Sequence, residues 1–113
     1  MIQRFAGTVP TRSRAVAHDG LVYTVATAPQ KLPSLYEQTR QALAAIEKNL
    51  ADAGTNKSRI LRATVYITDM AKKTEMNRAW DEWVDMENVP QRACIGVALE
   101  GDDLVEILVI ATV

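Results

Sequence analysis

Two residues in the last quarter of the chain carry the chemistry that the sequence offers. Arg92 stands just after Pro90, at the start of an apolar stretch, and Glu106 interrupts the apolar run LVEILVIATV. A buried glutamate costs several kcal/mol unless it is paired, hydrogen-bonded, protonated or in contact with a water-filled site. One reading is a structural ion pair with an arginine across an oligomer interface. The other is a small anion-binding cavity. There the guanidinium fork would hold a carboxylate through two parallel hydrogen bonds, and the glutamate would orient or deprotonate a water. Residue types alone leave both readings open.

The remaining candidates are weaker. His18 adjoins Asp19-Gly20, where a polar turn residue needs no further role, and no Ser or Asp forms a triad motif with it. Cys94 reads as a small core residue whose backbone matters more than its thiol, although Arg92, two positions away, could lower the thiol pKa. Trp80 and Trp83 share a helical stripe with Met76 and Ala79, which favours core packing over stacking on a ligand. One Cys and one His cannot build a zinc site, so no metal is expected. No glycine-rich loop follows a strand, so nothing supports nucleotide chemistry, and no cofactor is expected.

These residues are positioned by elements whose periodicity is legible. In RAVAHDGLVYTVA two apolar-rich runs flank Asp19-Gly20, a pair that tolerates the positive φ of a type I′ turn, which predicts a β-hairpin over 13–26. The run SLYEQTRQALAAIEKNLADAG predicts a helix. Ser34 and Glu37 have capping-box spacing, Gly54 sits where a C′ glycine would end it, and Leu35, Ala42, Leu43, Ile46, Leu50 and Ala53 form one stripe. ILRATVYIT alternates Leu61, Ala63, Val65 and Ile67 with Arg62, Thr64, Tyr66 and Thr68, a strand with one dry face. In KKTEMNRAWDEWVDM, Met76, Ala79, Trp80, Trp83 and Val84 define a second core-facing helix that ends before Pro90. Two strands follow, RACIGVALE and LVEILVIATV, with Gly101 to Asp103 as the turn. The order is ββαβαββ. A hairpin of the last two strands would set Arg92 well before the turn and Glu106 shortly after it, not directly opposite.

Composition and pattern then bound the class. The 113 residues are 48% apolar and 24% charged, which suits a single domain spanning 1–113. Thirteen basic residues against 14 acidic ones leave a net charge of −1, which supplies no field to concentrate nucleic acid or anionic lipid. The opening MIQRFAGTVPTRSR has no apolar core of a signal peptide, and no run approaches the roughly 20 apolar residues of a membrane span. A cytoplasmic protein is expected. In the last strand, Val105, Ile107, Val109, Ala111 and Val113 share one face and Leu104, Glu106, Leu108 and Ile110 the other, so both faces should be buried. Two helices, each striped on one side, most simply cover one sheet face, and the cheapest cover for the other is a second copy of the chain. A homo-oligomer with its site at the subunit boundary is therefore expected.

The pieces ATVYITDM, Met76-Asn77, Pro90 to Cys94 and the VEI around Glu106, in this order and spacing, resemble the RidA/YjgF family of small trimeric proteins over nearly the full length. NKSRILRATVYITDM with MNRAWDEWV is especially similar to the YoaB-like members. The resemblance implies an α+β fold like the trimeric bacterial chorismate mutase, one sheet with two helices packed on one face and three sheets lining a central barrel. It also implies a homotrimer with clefts between subunits. There the matching arginine, Arg92, would bind the carboxylate of a 2-imino or enamine acid, and the matching glutamate, Glu106, would position the attacking water. The backbone at Cys94 would help to hold ligand or water. Hydrolysis of the C=N bond would release a 2-keto acid and ammonia.

The chain also departs from the pattern of the deaminating members. They carry a G-P-Y stretch before the first strand where this chain has Pro10-Thr11-Arg12-Ser13-Arg14, which puts Arg12 about where the pocket tyrosine would be. They carry S-G-Q where this chain has Val25-Ala26-Thr27. By position, Arg12 and Ala26 join Arg92 and Cys94 as expected ligand contacts. Losing two hydroxyls and gaining a cation points to a more anionic or differently shaped ligand. The alternative to imine hydrolysis is therefore a non-catalytic trimer that binds small carboxylates or 2-keto acids. A ribonuclease or translation-inhibitor role, a theme of the family, is opposed by the acidic balance and the absence of a basic, aromatic-interleaved stripe.

Overall fold

Asp19 and Gly20 both take positive φ, 51° and 78°, in the computed structural model, which describes residues 1–113. This is the mirror-image turn that closes a two-residue hairpin. It joins β2 (Ser13–His18) to β3 (Leu21–Thr27), with His18 opposite Leu21. Ser34 caps α1 (Leu35–Asp52) by accepting the Glu37 N–H, and Gly54 past its end has a φ of 86°, as the capping pattern requires. β4 (Ile60–Ile67), α2 (Lys73–Trp83), β5 (Gln91–Gly96) and β6 (Val105–Thr112) follow. α2 stops at Val84, whose backbone is extended, short of the expected 86. β5 likewise ends at Gly96 instead of running to 100.

The six strands form one sheet in the order β1-β2-β3-β6-β4-β5, with both helices on one face. β1 (Gln3–Ala6), which the hydrophobic pattern does not announce, pairs antiparallel with β2 at the edge. The expected hairpin of the last two strands does not form. β6 is flanked on one side by β3 and on the other by β4, so both of its ladders are occupied before β5 can reach it. β5 instead crosses over through α2 and pairs parallel with β4. The most apolar strand is thereby central, and the strand carrying Arg92 is an edge.

Val22, Ala63, Val65, Ile67, Val105, Ile107, Val109 and Ala111 of the sheet pack against Leu35, Ala42, Leu43, Ile46, Leu50, Met76 and Trp80 of the helices. Leu61 does not join them. The β4–β6 register slips between Ile60 and Arg62, so a bulge brings Ile60 into the core and leaves Leu61 half exposed. The opposite face of the sheet has no cover within the chain, and Tyr23, Leu108 and Ile95 stand exposed there. A similar slip between Phe5 and Ala6 skips Arg14 and lets its guanidinium reach α1, 2.8 Å from Asn49 Oδ1 and 2.9 Å from Asp52. Hydrogen bonds from Lys48 and from Arg14 hold the Asp52 carboxyl below its ordinary pKa.

Gln38 fastens the segment that leads into β6. Fully buried, its Nε2 donates to the carbonyls of Leu32 (2.8 Å) and Asp102 (3.1 Å), and its Oε1 accepts from the Leu104 N–H (2.9 Å). Gln38→Ala would orphan these groups in a dry environment and is expected to cost about 3 kcal/mol. Urea unfolding would measure it, and a loss under about 1 kcal/mol would show that water replaces the amide readily.

Candidate functional site

Arg92 is the second residue of β5 and pairs with Ala63, so it shares the face that looks toward the helices. Its Nη2 donates to Asn77 Oδ1 at 2.9 Å, Nη1 lies 3.8 Å from Met76 Sδ, and the guanidinium carbon is 5.3 Å from the centre of the Trp80 ring. All three partners lie on α2, Met76 and Asn77 adjacent and Trp80 one turn further on. The cation is thus half-buried between an edge strand and a helix, with neutral neighbours on each contact. Cys94, on the same face of β5, pairs with Val65 and packs on the core, in keeping with a structural thiol.

Glu106 occupies the other face. It lies between Thr27 of β3 and Tyr66 of β4 and lines a hollow of about 480 Å³ together with Gly7, Arg12, Glu100 and Asp103. Arg12 enters from the turn between β1 and β2, where its N–H reaches the Val9 carbonyl, and its side chain is exposed. Ala26 lines the hollow too, but its methyl packs against the core. Asp103 is neutralised by Lys31 at 2.5 Å, and Glu100, Glu106 and Arg12 share the lining without an ion pair.

The five expected residues therefore fall into two groups. Arg12, Ala26 and Glu106 meet at one hollow; Arg92 and Cys94 lie elsewhere. Counting along the ladders, Glu106 and Arg92 are two strands and three residues apart, about 10 Å in each direction, and on opposite faces. No salt bridge of the chain includes Arg92, Arg12 or Glu106, so an Arg92–Glu106 ion pair within one copy is ruled out. His18 lies 3.2 Å from Asp19 at the exposed turn, as read from the sequence. No three His, Cys, Asp or Glu side chains converge as a metal site would require. Residue reading also underrated Asn77. A polar residue beside the apolar stripe of α2 was the available signal, but only the β4–α2–β5 crossover shows that it faces Arg92.

These features define a class: a small α+β protein with a half-buried arginine among neutral partners on one side of its sheet and a carboxylate-lined hollow on the other. The model of the endoribonuclease L-PSP family matches residues 3–113. A RutC family protein of Haemophilus ducreyi is 45% identical over 103 residues, covering 89% of this chain and 88% of the relative. The RutC family protein YoaB of Escherichia coli is 34% identical over 102 residues, 89% of this chain and 90% of the relative. Among solved structures, a YjgF family member from Neisseria meningitidis superposes with a TM-score of 0.93 at 35% identity, covering 99% of this chain and 94% of that one. The chain belongs to this family, the RidA/YjgF group that its motifs resemble.

Proposed function

We propose that the protein is a homotrimeric hydrolase that deaminates small 2-imino and enamine acids in clefts between subunits. The observation that carries this reading is the state of Arg92: a guanidinium oriented by neutral partners and left without a counter-charge. Such a group is built to receive a planar anion through parallel N–H bonds. The carboxylate of an imino acid fits it. The uncovered sheet face, with Tyr23, Val25, Leu108 and Ile110, supplies the apolar surface on which copies associate. Because Arg92 and Glu106 do not meet within one copy, each cleft takes Arg92 and Cys94 from one subunit and Glu106, Arg12 and Ala26 from its neighbour.

In this arrangement Arg92 anchors the carboxylate and leaves the adjacent C=N carbon facing the neighbour's glutamate. Glu106 takes a proton from water as the water oxygen bonds to that carbon and passes it to the nitrogen, then relays the adduct's hydroxyl proton to the resulting amine. The tetrahedral adduct then expels ammonia as the carbonyl forms, which leaves the 2-keto acid. Glu106 ends as it began. No helix is long and apolar enough to cross a membrane. A cytoplasmic setting, where such imines arise, belongs to the same reading.

Arg12 favours a second reading, since a cation in the hollow would retain an anion without assisting its hydrolysis. A coupled assay separates the two. An amino-acid oxidase generates 2-imino acids, semicarbazide traps them, and deaminase activity lowers semicarbazone formation. Suppression by the wild-type protein is the expected result. Saturable 2-keto acid binding without suppression across several side chains would make the protein a binder.

A further inference from the structure

The surroundings of Arg92 suggest a function for a residue outside the catalytic pair. The guanidinium meets one polar protein atom, Asn77 Oδ1, at 2.9 Å. Its central carbon lies over the Trp80 ring, within the range of a cation–π contact, and the Met76 sulfur is 3.8 Å from Nη1. Trp80 and Met76 are core residues, 7% and 0% exposed, so the wall behind the cation is rigid. Asn77 alone sets the rotation of the guanidinium in its plane. Its contact uses one of the two Nη2 hydrogens, which leaves Nε–H and a further Nη hydrogen to present a two-pronged edge. Asparagine is also the residue that can do this without spending the charge. An aspartate would accept the same hydrogen bond and neutralise the cation before any ligand arrived.

We propose that Asn77 is a positioning residue that orients the Arg92 guanidinium while preserving its charge for a substrate carboxylate. The inference rests on the reading of Arg92 as the carboxylate anchor. It predicts opposite effects on binding and stability from one substitution. Asn77→Asp keeps the shape and the hydrogen-bond acceptor, so thermal stability is retained or raised. The new carboxylate competes with the ligand's own. Calorimetric titration with 2-oxobutanoate, a stable keto acid, is expected to show binding at least 30-fold weaker than wild type.

A clip that only ties α2 to β5 would be satisfied by aspartate and would leave affinity within twofold, which overturns the proposal. Asn77→Ala, which removes the acceptor and adds no charge, gives an independent reading if the aspartate variant misfolds. About tenfold weaker binding supports the proposal, and a change under twofold overturns it. Arg92→Ala run alongside tests the underlying reading. If it binds 2-oxobutanoate like wild type, or if wild type binds none, the anchor itself is wrong and the role of Asn77 falls with it. Loss in Arg92→Ala with retention in both Asn77 variants condemns the Asn77 role alone.

Discussion

Co-refolding equal amounts of Arg92→Ala and Glu106→Gln copies is expected to restore about a quarter of wild-type deaminase activity, although each variant alone is nearly inactive. Removing one partner of a desolvated, charge-assisted contact costs about 2–5 kcal/mol, or about 30- to 5,000-fold, so Arg92→Ala by itself should lose at least that lower factor. Glu106→Gln keeps the shape but cannot accept the proton from water. If each site draws Arg92 from one copy and Glu106 from the next, a random closed ring places two intact residues together at about one site in four. Within one chain these residues lie on opposite faces of the sheet, so the proposed site needs two copies. No recovery above the single variants, while co-refolded wild type regains full activity, would refute the shared site. Full activity in Glu106→Gln would remove the glutamate from the mechanism.

The second large effect concerns assembly. Leu108 lies at the middle of the uncovered face, between Val25 of β3 and Thr64 of β4, and is 39% exposed in the single chain. Leu108→Glu leaves the helix-covered core untouched, so helix content by circular dichroism should match wild type. In the assembly it would bury an unpaired carboxylate in every copy, at several kcal/mol each. Sedimentation is expected to show monomers in place of the proposed wild-type trimer, and activity should vanish with the clefts. An intact trimer would mean that copies associate through another surface. The same variant separates fold from assembly, since a chain with this core should remain folded when alone.

Much of this architecture was legible in the residues. The positive φ demanded by Asp19-Gly20, the Ser34 cap and the Gly54 stop mark local structure because they act through backbone sterics and hydrogen bonds within a few residues. The stripes of α1 and α2 became the core as their periods predicted, with Leu43, Ile46 and Leu50 of one helix and Met76 and Trp80 of the other buried. Arg92 and Glu106 stood out because charge inside an apolar run needs a reason. By contrast, β1 has no apolar alternation and exists through its pairing with β2.

The tertiary structure decided everything that depends on which distant strands share a ladder. Sequence periodicity tells which residues of one strand share a face, but it carries no information on which neighbour takes each edge. β3 and β4 claimed both edges of β6, β5 went to the outer edge of β4, and the expected last hairpin gave way. That choice set Arg92 beside Asn77 and Trp80 and turned it to the face opposite Glu106. A one-residue slip displaced Leu61 from its expected face, and a similar slip let Arg14 reach α1. The sequence alone thus determined the chemistry of the arginine and the glutamate, through residue type and local pattern. Their separation is a product of global competition for hydrogen-bonded edges and buried apolar area, which no local pattern encodes.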